Sequence, residues 1–308
     1  MRVLVSGLVL GVVMAGFSSP AQAAREPVVL KARTPWNVDF GETKCRLART
    51  FGEGEDMHVL LVDQHYPSSG ASVTVAGSSF KRFTNRKETT VALGDATEPF
   101  ETPAMKAELG RISHGLVFSN IYFGENQPAI ITQGRGKPDN AKKDADEDAP
   151  ARISTQLNTQ FGSAVEYLSF KQGSREVRLE TGPLGEAFEV LNTCTSDMLS
   201  EWGFDVETQR LVTKGPVWTN RDAVTRRILD SYPRAALRRG ESAVLRMRVT
   251  IDEQGSVEDC VINEVTQTET LQSPACEQMQ RAEFEPAVNV VGQPVRSFFT
   301  TTITYRIN

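Results

Sequence analysis

The fold at the end of the chain is decided by the stretch SAVLRMRVTIDEQGSVEDCVINEVT, from Ser242 to Thr266. From Leu245 to Ile251, apolar and polar side chains alternate at every position, as they do in a strand with one buried and one solvated face. This alternation places Arg246 and Arg248 on the solvated face. The residues from Asp252 to Gly255 have the composition of a turn, and a run rich in β-branched residues follows. The stretch therefore predicts a β-hairpin.

Helical segments flank this hairpin on both sides. The preceding segment, RDAVTRRILDSYPRAALRRGE, holds one or two short helices, because Pro233 interrupts a continuous helix and suits the first turn of a second one. The following segment, SPACEQMQRAEFEPA, predicts a helix that Ser273 caps. We expect this helix to bury Phe284 from its last turn and to end at Pro286.

The chain closes on a strand-like stretch, VRSFFTTTITYRIN, which follows a turn at Gly292, Gln293 and Pro294. The order helix, hairpin, helix and strand predicts a small three-stranded antiparallel sheet covered by helices. We assign residues 221–308 to this C-terminal domain. The fold class predicted for the whole chain is α+β.

These residues resemble the C-terminal domain of TonB-type energy transducers. The resemblance covers only the end of the chain, from Tyr232 onward. It departs from the usual pattern at Ser242, where glycine is common, and in the pair Cys260 and Cys276, which is an addition. The matching positions are Tyr232-Pro233, Ala236, Gly240, the alternating run VLRMRVTID, Asp252, Gly255, Val257, Phe284 to Ala287, Gly292 and Pro294-Val295.

The resemblance implies a role in protein–protein recognition. Transducers of this family sit in the inner membrane of Gram-negative cells with a proton-driven motor complex. A Pro-rich spacer crosses the periplasm, and the C-terminal domain binds a short extended peptide of an outer-membrane receptor. Binding adds the peptide as a strand to the edge of the domain's sheet, so backbone groups supply affinity and alternate side chains supply selectivity.

The partner implied for this chain is therefore a protein, in particular the periplasmic segment of an outer-membrane receptor, and no cofactor is implied. The candidate edge runs from Phe298 to Ile307, and the Tyr-Pro stretch matches a region that lies near the receptor in the family. The candidate partner-binding residues are Tyr232, Pro233, Phe298, Thr300, Thr302, Thr304 and Arg306.

The first residues, MRVLVSGLVLGVVMAGFSSPAQAA, have the pattern of a secretory signal peptide. Arg2 precedes an apolar run from Val3 to Phe17, and Ala21-Gln22-Ala23 fits a cleavage site. The apolar run is shorter than the ~20 residues that a membrane-spanning helix needs. We therefore expect residues 1–23 to be removed and the protein to be periplasmic. A retained segment would instead anchor it in the inner membrane.

The chain has four cysteines, and an even number in an exported protein predicts two disulfides. Three connectivities are possible. The short spacing between Cys260 and Cys276 suits a local bridge, which leaves Cys45 to pair with Cys194. No C-x-x-C pair is present, so neither a redox-active nor a zinc site is predicted.

The region from Ala24 to Phe204 predicts a separate β-rich domain. Strand-like runs separated by Gly and Ser clusters extend from Trp36 to Ile131. Residues 134–151 form a charged loop without large apolar side chains. A helix with Cys194 on its apolar side then ends the domain. Residues 205–220 have a weak pattern broken at Gly215-Pro216, and we interpret them as an interdomain linker.

Composition and motifs give little support for other functions. The formal net charge of −5 provides no electrostatic reason for binding nucleic acid. There is no G-x-S-x-G motif, and the three histidines, His58, His65 and His114, lack metal-ligand spacing. We therefore predict no catalytic, cofactor-binding or metal-binding residues. Trp36, Trp202 and Trp218 are interpreted as packing residues of a core or of an interdomain contact.

Three hypotheses follow. The leading one is a periplasmic, non-enzymatic binding protein whose C-terminal domain engages an extended protein segment by strand addition, with outer-membrane receptor transport as the process to which the resemblance links it. The second is a structural module of the cell envelope that binds peptidoglycan or another envelope polymer. The third is an enzyme carried by the N-terminal domain. No Pro-rich spacer precedes the C-terminal domain, so a direct role in driving receptor transport is not predicted.

Overall fold

The computed structural model describes residues 26–124, 156–239, 243–264 and 273–305. The expected signal peptide, the charged loop at residues 134–151 and Arg306 lie outside the described residues. The described residues form helices and mainly antiparallel strands, with one parallel pair between Val28–Lys31 and Arg175–Glu180, so the predicted α+β class is confirmed.

The strands are numbered in chain order. They are β1 (Val28–Lys31), β2 (Asn37–Gly41), β3 (Lys44–Phe51), β4 (His58–Gln64), β5 (Gly70–Ala76), β6 (Thr89–Leu93), β7 (Phe100–Thr102), β8 (Met105–Leu109), β9 (Ser113–Tyr122), β10 (Tyr167–Gln172), β11 (Arg175–Glu180), β12 (Val212–Lys214), β13 (Val217–Trp218), β14 (Ala243–Ile251), β15 (Val257–Glu264), β16 (Phe284–Glu285), β17 (Ala287–Asn289), β18 (Pro294–Val295) and β19 (Ser297–Tyr305). The helices are α1 (Thr159–Ala164), α2 (Gly185–Glu201), α3 (Val206–Arg210), α4 (Arg221–Asp230), α5 (Arg234–Arg239) and α6 (Ala275–Met279).

Two sheets and the long helix α2 share one hydrophobic core in the N-terminal part of the chain. The six-stranded sheet has the order β2-β3-β4-β5-β9-β8, and the five-stranded sheet has the order β1-β11-β10-β6-β7. Phe118 on β9 stacks on Phe170 of β10 with 5.3 Å between ring centroids, which joins the two sheets. Phe188 of α2 contacts Phe123, with ring centroids 4.9 Å apart, so the helix packs onto the same core.

A second core lies beneath the C-terminal sheet, whose order is β15-β14-β19. Every neighbouring pair in this sheet is antiparallel, as predicted. The apolar half of the alternating stretch, including Leu245, Met247 and Val249, points into this core and is almost completely buried. The two cores support a division of the chain into an N-terminal and a C-terminal domain, and that division stays a prediction.

Both expected disulfides are present. Cys45 on β3 is bonded to Cys194 on α2, and Cys260 on β15 is bonded to Cys276 on α6. The first bridge closes a separation of 149 residues, which corresponds to about 5 kcal/mol in the chain-entropy account. The second closes 16 residues and corresponds to about 3 kcal/mol. The second bridge fixes the short helix α6 to the C-terminal sheet.

The predicted helix after the hairpin is shorter than expected. α6 ends at Met279, and Phe284 lies in strand β16, which pairs with β13. The placement of Phe284 in a last helical turn was therefore wrong, although its burial was predicted correctly. The cause is a competing backbone partner, because the N–H of Phe284 donates to the carbonyl of Gly255 in the hairpin turn.

Glycine is required at position 255 for two reasons, the conformation of its backbone and the close approach of Phe284. Its φ is +86°, in the region that favours glycine. A β-carbon at this position would collide with the carbonyl oxygen of Phe284. The turn of the hairpin therefore contacts the backbone of the segment that follows α6 directly.

Residues 205–220, interpreted from the sequence as a linker, contain α3, β12 and β13. β12 pairs with β17, and β13 pairs with β16, so this segment is hydrogen-bonded to the C-terminal part of the chain. Trp218 on β13 stacks on Phe284, with 5.9 Å between ring centroids.

Candidate partner-binding site

The last strand, β19, lies at one end of the C-terminal sheet. Its nine residues pair with β14 from Ser297↔Ile251 to Tyr305↔Ala243. Within the described residues, no strand pairs with its other side. Backbone N–H and C=O groups of an edge strand point alternately toward and away from its neighbour, so this side carries a row of unpaired groups.

The cross-strand register decides which predicted residues share a face. Leu245 is opposite Ile303, and Val249 is opposite Phe299, on the face that covers the C-terminal core. Arg248 is opposite Thr300 on the other face, which we call the outer face. By the same register, the outer face includes Arg246, Thr250 and Phe298.

Phe298 contacts the N-terminal part of the chain. Its ring centroid lies 5.7 Å from that of Trp202, 5.6 Å from that of Phe204 and 6.4 Å from that of Tyr66. Aromatic pairs at such distances contribute about 0.5–1.5 kcal/mol each beyond the burial of their area. The side chain of this predicted partner-binding residue is therefore already engaged inside the molecule.

The other predicted residues lie in three different places. Thr300 lines a cavity on the outer face. Thr302 and Thr304 belong to β19, opposite Arg246 and Val244. Tyr232 lies between α4 and α5 and packs against the C-terminal core, whose residues lie on the opposite face of the sheet from Phe298 and Thr300. Pro233, the next residue, is half-buried. The structure does not gather the Tyr-Pro stretch and the outer-face residues on one surface.

Sequence reasoning missed a polar clamp at the start of β19. The buried side chain of Gln209 donates through Nε2 to the carbonyl of Arg296 at 2.7 Å and accepts from the Ser297 hydroxyl at 3.1 Å. Arg296 donates to Glu258 at 2.6 Å and to the carbonyl of Gly203 at 3.0 Å. Gln209 lies in the presumed linker, where no periodic pattern indicated a buried residue.

Two cavities lie near the aromatic contact between Phe298 and the N-terminal part of the chain. One, of about 280 Å³, runs beside the first residues of β19 and includes Tyr66, Pro216, Phe298 and Thr300 in its lining. The other, of about 110 Å³, lies over the outer face and includes Tyr66, Trp202 and Thr300. The edge of β19 is thus bordered near its start by residues from the N-terminal part.

Two of the three histidines, His58 and His65, lie in environments that favour the neutral imidazole. His58 is buried and bridges two backbone groups, with Nδ1 2.6 Å from the carbonyl of Asp56 and Nε2 accepting from the N–H of Ser79 at 3.1 Å. Burial lowers the pKa of His58. Burial, followed by the positive charge of Arg246, lowers the pKa of His65 to about 4. In the described part of the chain, no three His, Cys, Asp or Glu residues are grouped so that they could hold a metal ion.

Comparison with known proteins identifies one region of the chain. Residues 230–307 match the family model described as Gram-negative bacterial TonB protein C-terminal, which confirms the resemblance found in the motif pattern. No curated protein matches the chain. Of the helices in the described residues, none has the length and apolar character needed to cross a membrane.

Proposed function

We propose that the C-terminal part of this protein binds an extended segment of a partner protein by strand addition to the free edge of β19. The observation that carries the proposal is the position of β19, a nine-residue strand at the end of its sheet with one unpaired side among the described residues. The family match supports it, because this family takes part in envelope transport and in protein interaction.

The accessible part of the edge begins after Phe298. Phe298 and the residues before it are held by aromatic contacts and by the Gln209 clamp. A guest strand would therefore pair with residues from Phe299 to Tyr305. Each interstrand hydrogen bond contributes about 0.5–1.5 kcal/mol net, so several bonds give moderate affinity only if the edge is held rigid before binding.

Rigidity of the edge comes from the rest of the sheet. β14 is paired with β19 along its whole length and with β15 from Leu245 to Ile251, and the Cys260–Cys276 bridge ties β15 to α6. Leu245 and Val249 of β14 are buried in the core below. A preorganised edge loses little conformational freedom when a guest strand binds.

The partner in this proposal is the periplasmic segment of an outer-membrane receptor, and the protein acts in the periplasm without catalysing a reaction. Support comes from the family match and from the secretory pattern of residues 1–23. Strand addition requires a bound segment that is extended and is not held in a folded structure of its own. A flexible segment of a receptor meets both conditions.

Proline substitutions at two neighbouring positions test the proposal. In Thr301→Pro and Thr302→Pro, one proline removes an N–H that bonds to β14, and the other removes an N–H that faces outward. We expect the outward variant to keep its thermal stability and to bind synthetic receptor peptides at least tenfold more weakly, as measured by calorimetric titration. The variant that loses an N–H bonded to β14 should be destabilised. Its lower thermal stability therefore shows which of the two positions faces β14.

Two results would contradict strand addition. One is full peptide affinity in both folded variants. The other is the absence of any peptide binding together with co-sedimentation of the protein with purified sacculi, which would favour the envelope-polymer alternative.

A further inference from the structure

The cavity of about 110 Å³ lies between the outer face of the C-terminal sheet and the N-terminal part of the chain. Arg246, Arg248 and Thr300 line it from the sheet, and Tyr66 and Trp202 line it from the opposite side. One water molecule needs about 10–15 Å³ of such space, so the cavity holds several waters or a small organic group. It lies over the face of the sheet, and Thr300 and Thr301 of β19 belong both to its lining and to the edge proposed for strand addition.

Two guanidinium groups share this space. Arg246 and Arg248 are two positions apart on β14, so their side chains leave the same face about 7 Å from one another. Burial lowers the pKa of both side chains. Desolvated positive charge of this kind is normally compensated by a paired anion.

The described residues supply no such anion. None of their carboxylates forms an ion pair with Arg246 or Arg248. Asp63, whose charge acts on Arg246, is held by Arg46 at 2.6 Å and by Lys44 at 3.3 Å. Asp259, whose charge acts on Arg248, is exposed to solvent.

Arg246 has an unused donor. Its Nε atom is buried and has no hydrogen-bond partner among the described residues. A buried donor without a partner is unfavourable, so an acceptor that reaches it after a small movement of the side chain is bound more tightly. His65, which also lines the cavity, has its pKa lowered to about 4 by burial and is neutral near pH 7.

Trp202 orients the second guanidinium. The Arg248 group lies over the indole ring, 4.1 Å from its centroid. This cation–π contact holds the guanidinium beside the indole ring, and no hydrogen bond from the Arg248 side chain to another described residue is present. The N–H edges of a guanidinium match the two oxygens of a planar carboxylate.

We propose that this cavity binds a carboxylate group, held by the guanidinium groups of Arg246 and Arg248 beside the ring of Trp202. Each guanidinium is acted on at a distance by one opposite charge, Asp63 for Arg246 and Asp259 for Arg248, and Arg248 is also acted on by the like charge of Arg296. A phosphate group, which carries about −1.5 to −2 at pH 7, loses more hydration on entering a partly buried cavity than a singly charged carboxylate does. The carboxylate belongs either to a small free acid or to an acidic side chain of a bound segment. The proposal does not depend on strand addition.

Titration of the full chain with sodium acetate, at constant ionic strength kept with NaCl, tests this site. The readout is the indole N–H resonance of Trp202 in two-dimensional NMR spectra, assigned with Trp202→Phe. We expect a saturable shift in the parent protein. Inorganic phosphate under the same conditions should bind at least tenfold more weakly. A shift that does not saturate, or tighter binding of phosphate, would overturn the proposal.

Variants at the arginines provide the second test. Arg246→Gln should weaken acetate binding at least tenfold, and Arg246→Lys, which keeps the charge but loses Nε, should weaken it as well. Arg178→Gln is the matched control, because Arg178 also has a buried Nε without a partner and lies 4.0 Å from the centroid of Tyr167, but does not line this cavity. Unchanged acetate binding in both folded Arg246 variants would refute the assignment.

A competition experiment distinguishes the two sources of the carboxylate, a bound segment and a free acid. If it belongs to a bound segment, acetate displaces an Asp-containing receptor peptide but not its Asn counterpart. If it is a free acid, acetate binds and displaces neither peptide. Failure of peptide binding leaves the acetate result intact, so the two proposals are tested independently.

Discussion

Replacement of His65 by glutamine should change how the stability of the protein depends on pH. His65 is half-buried beside Arg246, and burial is the main cause of its lowered pKa of about 4. In the unfolded chain, a histidine has a pKa of about 6.5. The unfolded state therefore binds a proton at higher pH than the folded state does. The stability contributed by neutral His65 is complete above the unfolded pKa and is lost as the pH falls toward the folded one.

The magnitude follows from the difference between the two pKa values. Between about pH 7 and pH 5, linkage gives a loss of about 2 kcal/mol in the free energy of unfolding from this single group. Buried His58, whose pKa is also lowered, acts in the same direction, so the parent protein should lose more than this amount. The difference between parent and variant isolates the part due to His65.

Urea denaturation followed by tryptophan fluorescence, repeated at several pH values, measures this difference. We expect His65→Gln to reduce the loss of stability between pH 7 and pH 5 by about 2 kcal/mol. Asn263→Gln, at a residue of the same cavity that does not titrate, is the control and should follow the parent curve. Parallel curves for the parent and His65→Gln would refute the argument, because they would show that His65 is solvated in the folded protein.

Three further changes should affect stability or internal contacts. Replacing Cys260 and Cys276 by serine should lower the free energy of unfolding by about 3 kcal/mol in urea titrations, and no loss would show that the loop is already ordered in the unfolded chain. Gly255→Ala should destabilise the protein by more than 1 kcal/mol relative to Gly173→Ala, since both glycines have positive φ but only Gly255 meets the backbone of another segment, and equal thermal shifts would argue against that contact. Phe298→Ala should cost about 2–3 kcal/mol and should increase hydrogen exchange at Gln209, whereas unchanged exchange would mean that the aromatic contact does not hold the clamp.

The C-terminal sheet could be predicted from the sequence because its signals are local. The period of two between Leu245 and Ile251 defines one strand and its buried face, and the turn ending at Gly255 defines the hairpin. The spacing of Cys260 and Cys276 indicated the local bridge, and the remaining pair followed by elimination.

Other elements could not be predicted because their signals are short or depend on distant residues. β13 and β16 contain two residues each, too few to show a period, and they form only by pairing with each other. For the same reason, the sequence did not show that Phe284 leaves the helix. Pairing between segments that are far apart in sequence also explains why residues 205–220 were interpreted as a linker.

The solvated face predicted for β14 shows a different limit of sequence reasoning. Alternation correctly separates Arg246 and Arg248 from the apolar residues between them. It does not reveal that Trp202 and Tyr66, from the N-terminal part, lie over the same face. Two arginines that read as exposed are therefore partly desolvated, and the candidate carboxylate site arises from contacts that only the folded chain brings together.

The most direct test of strand addition is a measurement of NOEs between backbone protons of an isotope-labelled receptor peptide and those of β19. The account predicts cross-strand NOEs in a regular ladder between the peptide and residues from Phe299 to Tyr305. NOEs confined to other surfaces, such as the exposed strand β1, with none to β19, would contradict it.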